Sequence, residues 1–162
     1  MKTIAVLSDT HGNVGAIERI MPVLEGCDLV VHLGDCFTDM SAFRERLKSK
    51  LICVRGNCDF STEEKVKTVD IEGKRLLFTH GDLFGVKGSL TRLSYFAEEK
   101  QADAVFFGHT HEAMCERVNG ILYVNPGAIS RMSACKSFAF VTVSERGVLC
   151  NINTAIFQNM NV

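Results

Sequence analysis

KTIAVLSDTHGNVGAIERIMPVLEGCDLVVHLGD, Lys2 to Asp35, decides the fold. Its first part, KTIAVLS, is a continuous apolar run of strand length that stops at Ser8-Asp9. GAIERIMPVLEG follows, with Ile17, Ile20, Met21 and Leu24 at helical spacing, and Pro22 is expected to shorten or kink that helix. DLVVHLGD is a second β-branched run. Strand, helix and strand in this succession imply a parallel pair joined by a right-handed crossover. Downstream, SAFRERLKSK reads as a short polar-faced helix capped near Ser41, and KLICVRGN as a third strand.

The remainder changes character. KVKTVDI, the turn at EGKR and RLLFTHG form a predicted hairpin, followed by a helix over SLTRLSYFAEEKQ and a strand at AVFF. MCERVNGILYVNPG carries Asn119-Gly120, a strong hairpin signal. SFAFVTVSERGVLCNINTAIF alternates and reads as a last hairpin. The expected class is α/β: two packed mixed β-sheets, a sandwich, flanked by helices, with residues 1–162 as a single domain.

Composition sets bounds. The chain has 162 residues, within the usual length of one domain, and a formal net charge of −1. A balanced charge disfavours a broad nucleic-acid surface. No apolar run reaches the ~18 residues of a membrane span, and the apolar start is too short for a signal peptide. The seven cysteines are odd in number and form no CxxC pair, which fits neither a disulfide framework nor a zinc ribbon. Reduced thiols in a cytoplasmic protein, most of them filling the core, are the expectation.

The polar residues just after the strands carry the chemistry. Asp9 and His11 follow the first strand, Gly34-Asp35 the second, and Gly56-Asn57-Cys58-Asp59 the third. His80 follows RLLFT, and Gly108, His109 and His111 follow AVFF. Open α/β sheets bind ligands outside the carboxyl ends of their strands. Alone, a D-x-H is a common cap, a GD a common turn, and a strand-end histidine a satisfied structural group. His32, inside a strand, is read as structural. GHTH is more specific, because two imidazoles beside a glycine rarely serve packing. The joint occurrence at successive strand ends points to metal.

Asp9, His11, Asp35, Asn57, His80, His109 and His111 are too many ligands for one ion. Two ions sharing a carboxylate fit better. The imidazole-rich set suits manganese first, with nickel, iron, cobalt or zinc as alternatives, rather than calcium or magnesium. Two divalent ions against two aspartates leave a surplus of positive charge that attracts a phosphate ester and acidifies a bridging water.

SDTHGN, GD, RGNCD, a separate TH and GHTH together resemble the calcineurin-like metallophosphoesterase family, in its short bacterial and archaeal phosphodiesterase branch. The resemblance spans Asp9 to His111 and implies a two-sheet sandwich flanked by helices. It implies that Asp9, His11, Asp35 and His111 hold one ion and that Asp35, Asn57, His80 and His109 hold the other. It further implies hydrolysis of small phosphate diesters by a metal-bridged hydroxide, with Asp35, Asn57, Cys58 and His109 as candidate catalytic residues. Many relatives have histidine where this chain has Cys58, whose thiol either takes part of that role or fills space. GDCFTD lacks the protein-phosphatase pattern, Asp82 is expected to act only around the ligands, and Arg55 is expected in a structural ion pair. The alternatives are a phosphomonoesterase and, in another class, a binding scaffold on an eroded site like the retromer subunit of this superfamily. Self-association into a homo-oligomer is left open by the sequence.

Overall fold

The computed structural model describes residues 1–158; the end of the expected domain, 159–162, lies outside them. Three parallel strands, β1 (Lys2–Leu7), β2 (Leu29–His32) and β3 (Leu51–Cys53), form one side of the first sheet. The C-terminal hairpin, β9 (Phe138–Ser144) and β10 (Gly147–Asn153), adds antiparallel to the free side of β1, giving the order β10-β9-β1-β2-β3. The second sheet has the order β4-β5-β6-β8-β7, built from β4 (Val66–Ile71), β5 (Lys74–Thr79), β6 (Ala104–Phe106), β7 (Met114–Val118) and β8 (Ile121–Asn125). Both predicted internal hairpins are present, turning at Glu72-Gly73 and Asn119-Gly120 with positive φ at all four residues. Positive φ at both central positions is the tight-turn geometry that matches strand twist.

The two sheets stack face to face. Ile4 and Val6 of β1, Phe78 of β5, Phe106 of β6 and Val141 of β9 fill the space between them. Phe78 and Phe106 stack with ring centroids 5.0 Å apart. Truncating either to alanine removes a fully buried ring, a change worth about 3–5 kcal/mol. Ala5 and Leu7 point the other way, against Ile17, Ile20, Met21 and Leu24 of α1 (Val14–Gly26). β1 is therefore covered on both faces, which is why its sequence is a continuous apolar run. α3 (Thr91–Glu99) covers the second sheet through Leu93 and Ala97. The result is a helix–sheet–sheet–helix sandwich, as the sequence implies.

Three local expectations need correction. Pro22 lies inside α1, and the helix still runs on to Gly26. SAFRERLKSK is not one capped helix. A 3-10 stretch spans Phe37–Phe43, α2 is the single turn Arg44–Leu47, and a 3-10 turn spans Lys48–Lys50, with no side-chain cap from Ser41. Its buried residues Phe37, Met40 and Phe43 are spaced by three, the period of a 3-10 helix rather than an α-helix. The cysteines are all free, but only Cys27 and Cys53 are buried. Cys58, Cys115 and Cys135 are exposed, and Cys36 and Cys150 half-buried, because they lie on loops and edge strands that no further layer covers.

Candidate metal centre

β1, β2 and β3 run parallel in one sheet, and β5 and β6 run parallel in the other. The stacking of the sheets brings all five carboxyl ends to one rim. Six side chains converge there in two groups: Asp9 with His11 and His111, and Asp35 with His80 and His109. Within each group, one ligand atom per residue lies within 4.8 Å of the others.

Each aspartate divides its two oxygens between anchoring and display. Asp9 is fully buried, and its Oδ2 accepts from Ser8 Oγ at 2.5 Å and from the His109 backbone N–H at 3.1 Å. Its Oδ1 has no hydrogen-bond partner, although His111 Nε2 stands 3.0 Å away and His11 Nε2 3.8 Å away. A buried carboxylate oxygen without a hydrogen bond is costly. Close approach of donor atoms without hydrogen-bond alignment is what ligands aimed at a common ion look like, so the donor set fits a metal. Asp35 repeats the division. Oδ1 accepts from the Cys58 backbone N–H at 2.9 Å. Oδ2 lies 3.4 Å from His80 Nε2 and 3.9 Å from His11 Nε2, one imidazole from each group.

His80 is fully buried, and its Nδ1 stands 2.9 Å from the Leu33 carbonyl. A proton on Nδ1 donated to that carbonyl leaves Nε2 facing Asp35 and His109 Nδ1, 3.1 Å away. Burial lowers the His80 pKa, but the adjacent Asp35 carboxylate and the Asp9 charge, which favour the protonated ring, outweigh it and leave it raised. Burial opposes ionisation of Asp35 too, yet His80 and the Cys58 N–H hold its carboxyl well below the usual range. Burial, then His80, then Lys87 push the His109 imidazole down.

The backbone here is unusual. Asp9, His11, Asp35, Cys36, His109 and His111 all have positive φ. Non-glycine residues in this region carry strain of order 1–3 kcal/mol each and gather at functional sites. Gly108 permits the close approach of the second sheet: a Cβ there would collide with Ser8 Oγ and sit 2.7 Å from Asp9 Oδ2. Gly56 does the same beneath Asp35, where a Cβ would lie 2.5 Å from the Asp35 nitrogen.

The remaining sequence candidates fall at the rim or outside it. Asn57 is exposed, and its Nδ2 lies 3.4 Å from Cys58 Sγ; it hydrogen-bonds to none of the six converging side chains. Cys58 is exposed, and partial desolvation together with Asp35 pushes its thiol up to about 11. Asp82 pairs with Lys65 and hydrogen-bonds to no converging residue. Arg55 forms no ion pair among the described residues. It donates from Nη1 to the Ser61 carbonyl at 2.9 Å, since its strand end faces a loop rather than a carboxylate. His32 is structural: Thr10 Oγ1 lies 3.1 Å from its Nε2, and the Gly34 N–H donates to its Nδ1 at 3.1 Å.

Two further carboxylates support the site without joining the six converging side chains. Asp59 accepts from the backbone N–H groups of Asp35 and Gly56, both at 2.8 Å, and of Phe37 at 3.1 Å, so it fixes the Asp35 loop. Its signal is the last position of RGNCD. Asp39 accepts from Thr10 Oγ1 at 2.6 Å and from the Gly12 N–H at 2.8 Å, locking the SDTHGN loop. Nothing in the local sequence marks it.

A carboxylate–imidazole cluster on the shared strand-end rim of a two-sheet sandwich defines a metal-dependent phosphoester hydrolase. The chain belongs to the calcineurin-like phosphoesterase superfamily, whose domain model matches residues 1–146. It is 35% identical over 144 residues to the probable metallophosphoesterase YsnB of Bacillus subtilis, covering 86% of this chain and 83% of that one. It is 31% identical over 155 residues to the phosphodiesterase YfcE of Escherichia coli K12, covering 80% of each. A crystal structure of Vps29 with Zn²⁺ from Entamoeba histolytica superposes with a TM-score of 0.75 over 93% of this chain and 98% of that one, at 17% identity, a likeness of fold alone. No helix among the described residues is long and apolar enough to cross a membrane.

Proposed function

We propose that this protein is a dinuclear-metal-dependent phosphodiesterase of small phosphate diesters, working as a single domain over residues 1–162 in the cytoplasm. The observation that carries this is Asp35 Oδ2, free of backbone anchoring and facing imidazoles of both groups. Asp9, His11, Asp35 and His111 would hold one ion, and Asp35, Asn57, His80 and His109 the other. When bound, such ions supply an acidified water and positive charge for the phosphoryl oxygens, with manganese or nickel suiting the imidazole-rich set. Asp9 and Asp35 orient the imidazoles and offset cationic charge. Asn57, at the exposed rim, would have to turn inward to complete the second set. Cys58, whose thiol partial burial and Asp35 push up to about 11, stands at the mouth beside Asn57 as a weak donor. His109 is fixed at its backbone by Asp9 and presents a neutral ring to the rim.

The name of YfcE as a phosphodiesterase supports diesters over monoesters, the second reading. The resemblance in fold to Vps29 raises the scaffold alternative, but Asp9, His11, Asp35, Asn57, His80, His109 and His111 are all ligand-type side chains here. Seven free thiols support a reducing compartment. The test is metal analysis of chelator-stripped and reloaded protein, with turnover of an aryl diester and an aryl monoester. Two ions per chain, faster diester hydrolysis, and recovery with Mn²⁺ or Ni²⁺ above Mg²⁺ are expected. Full activity after exhaustive chelation, or in Mg²⁺ alone, overturns the assignment.

A further inference from the structure

The exposed His111 and the half-buried His109 face different surroundings. His111 forms one wall of a cavity of about 470 Å³ whose other walls include Ala113, Ala134, Met132 and the hydroxyl-bearing Ser133 and Thr154. Its size is that of a small-molecule site. No lysine or arginine lines it, and its one charged wall residue is the carboxylate of Glu112. Lys136 is not one of its wall residues, and its Nζ is engaged with the Ser133 carbonyl at 3.3 Å.

The cavity is built rather than incidental. Ser137 Oγ donates to the Pro126 carbonyl at 2.7 Å, and Thr110 Oγ1 accepts from Asn125 Nδ2 at 3.0 Å, fixing the wall that His111 shares. A Cβ at Gly127 would clash with Ser137 Oγ and stand 3.4 Å from Ala113 Cβ, so this wall is packed tight. The Ser133 and Thr154 hydroxyls make no hydrogen bond among the described residues. Met132 is 93% exposed at the mouth, an adaptable apolar group where solvent would otherwise favour a polar one.

We propose that this cavity is the subsite for one uncharged, aryl or alkyl, arm of the phosphate diester, and that it selects against anionic arms. The inference rests on the phosphodiesterase reading above. With the ester phosphorus at the metal rim, an arm leaving past His111 enters an apolar space with free hydroxyl donors. A carboxylate or second phosphate there would meet Glu112 and no cation.

The experiment compares bis(4-nitrophenyl) phosphate with bis(4-carboxyphenyl) phosphate on metal-loaded wild type and on Ala134→Lys, which narrows the cavity and adds a cation. The wild type is expected to show a KM at least about tenfold lower for the neutral diester. In the variant, that KM rises about tenfold with kcat within about threefold, while the KM for the carboxylated diester falls. Equal KM shifts for both substrates, or none, overturn the inference. Ala134→Ser, a small change, controls for folding. A second measurement needs no turnover: the Met132 methyl resonance of ¹³C-methyl-labelled, metal-loaded protein should move on saturation with methyl phenylphosphonate. Calorimetric binding of that probe with an unmoved Met132 signal also overturns it. If the wild type hydrolyses neither diester with any metal, the phosphodiesterase reading fails instead, and the Met132 signal still decides the cavity.

Discussion

Asp35, His80 and His109 form a group set into the protein, whereas Asp9, His11 and His111 form one that opens to solvent. The His80 side chain is 0% exposed, against 43% for that of His111. The inner group is pinned by backbone: His80 on the Leu33 carbonyl and Asp35 on the Cys58 N–H. In the outer group only Asp9 is pinned by main chain; the one hydrogen-bonding neighbour of His11 is a thiol, Cys36, at 3.8 Å, and its Nε2 otherwise faces the Asp9 and Asp35 carboxylates. A pinned ligand loses little freedom when an ion binds, so the inner group should bind the tighter ion. The outer group, beside the cavity that His111 lines, keeps room for substrate.

The largest expected effect tests what joins the two groups. Asp35→Asn removes the one charge that faces both, and should lower turnover by at least ~10³-fold, about 4 kcal/mol of transition-state stabilisation, with loss of bound metal. Retention of two ions per chain by this variant would show that Asp35 does not bridge. Next, the inner and outer groups should separate under chelator competition. His80→Ala should weaken the tighter ion about 100-fold, and His111→Ala the weaker ion only about tenfold. Equal losses would erase the distinction drawn here.

A third effect concerns the floor of the inner group. Burial, and secondarily the His80 charge, push the His32 pKa from 6.5 down to about 3. The unfolded chain protonates there below pH 6.5, while the native protein stays neutral until about 3. The stability is therefore complete above pH 6.5 and is lost as pH falls through that window. Between pH 7 and 5, urea unfolding should show the wild type losing about 2 kcal/mol more than His32→Gln. Parallel losses would mean that His32 is protonated in the native state. The smallest effect is at the rim, where Cys58→Ser should change aryl diester turnover less than about tenfold, because a raised thiol pKa makes it a weak participant. A loss above about 10³-fold at unchanged metal content would make the thiol catalytic.

Much of this was legible residue by residue. Helical spacing in Ile17, Ile20, Met21 and Leu24 marks the face that α1 buries, and Asn119-Gly120 marks a hairpin, because both signals act within a few residues. SAFRERLKSK misleads because its polar surface imitates a short α-helix, whereas only Arg44–Leu47 takes that form between 3-10 turns. The exposed cysteines were misread because burial of an edge-strand residue depends on what covers the edge. Arg55 misled for the same reason, since its partner is set by a loop placed by the fold.

The sequence by itself determined which side chains end the strands, that they suit imidazole- and carboxylate-binding ions, and that two sheets with flanking helices carry them. Only the tertiary structure decided that Asp9 and His109, a hundred residues apart, share a hydrogen bond, that Asp35 faces both groups, and that Asp39 locks the first loop. It alone revealed positive φ at five of the six converging residues. The physical reason is that strand and helix signals are local, whereas strained loop geometry and the meeting of two strand-end rims are imposed by the packing of one sheet on the other.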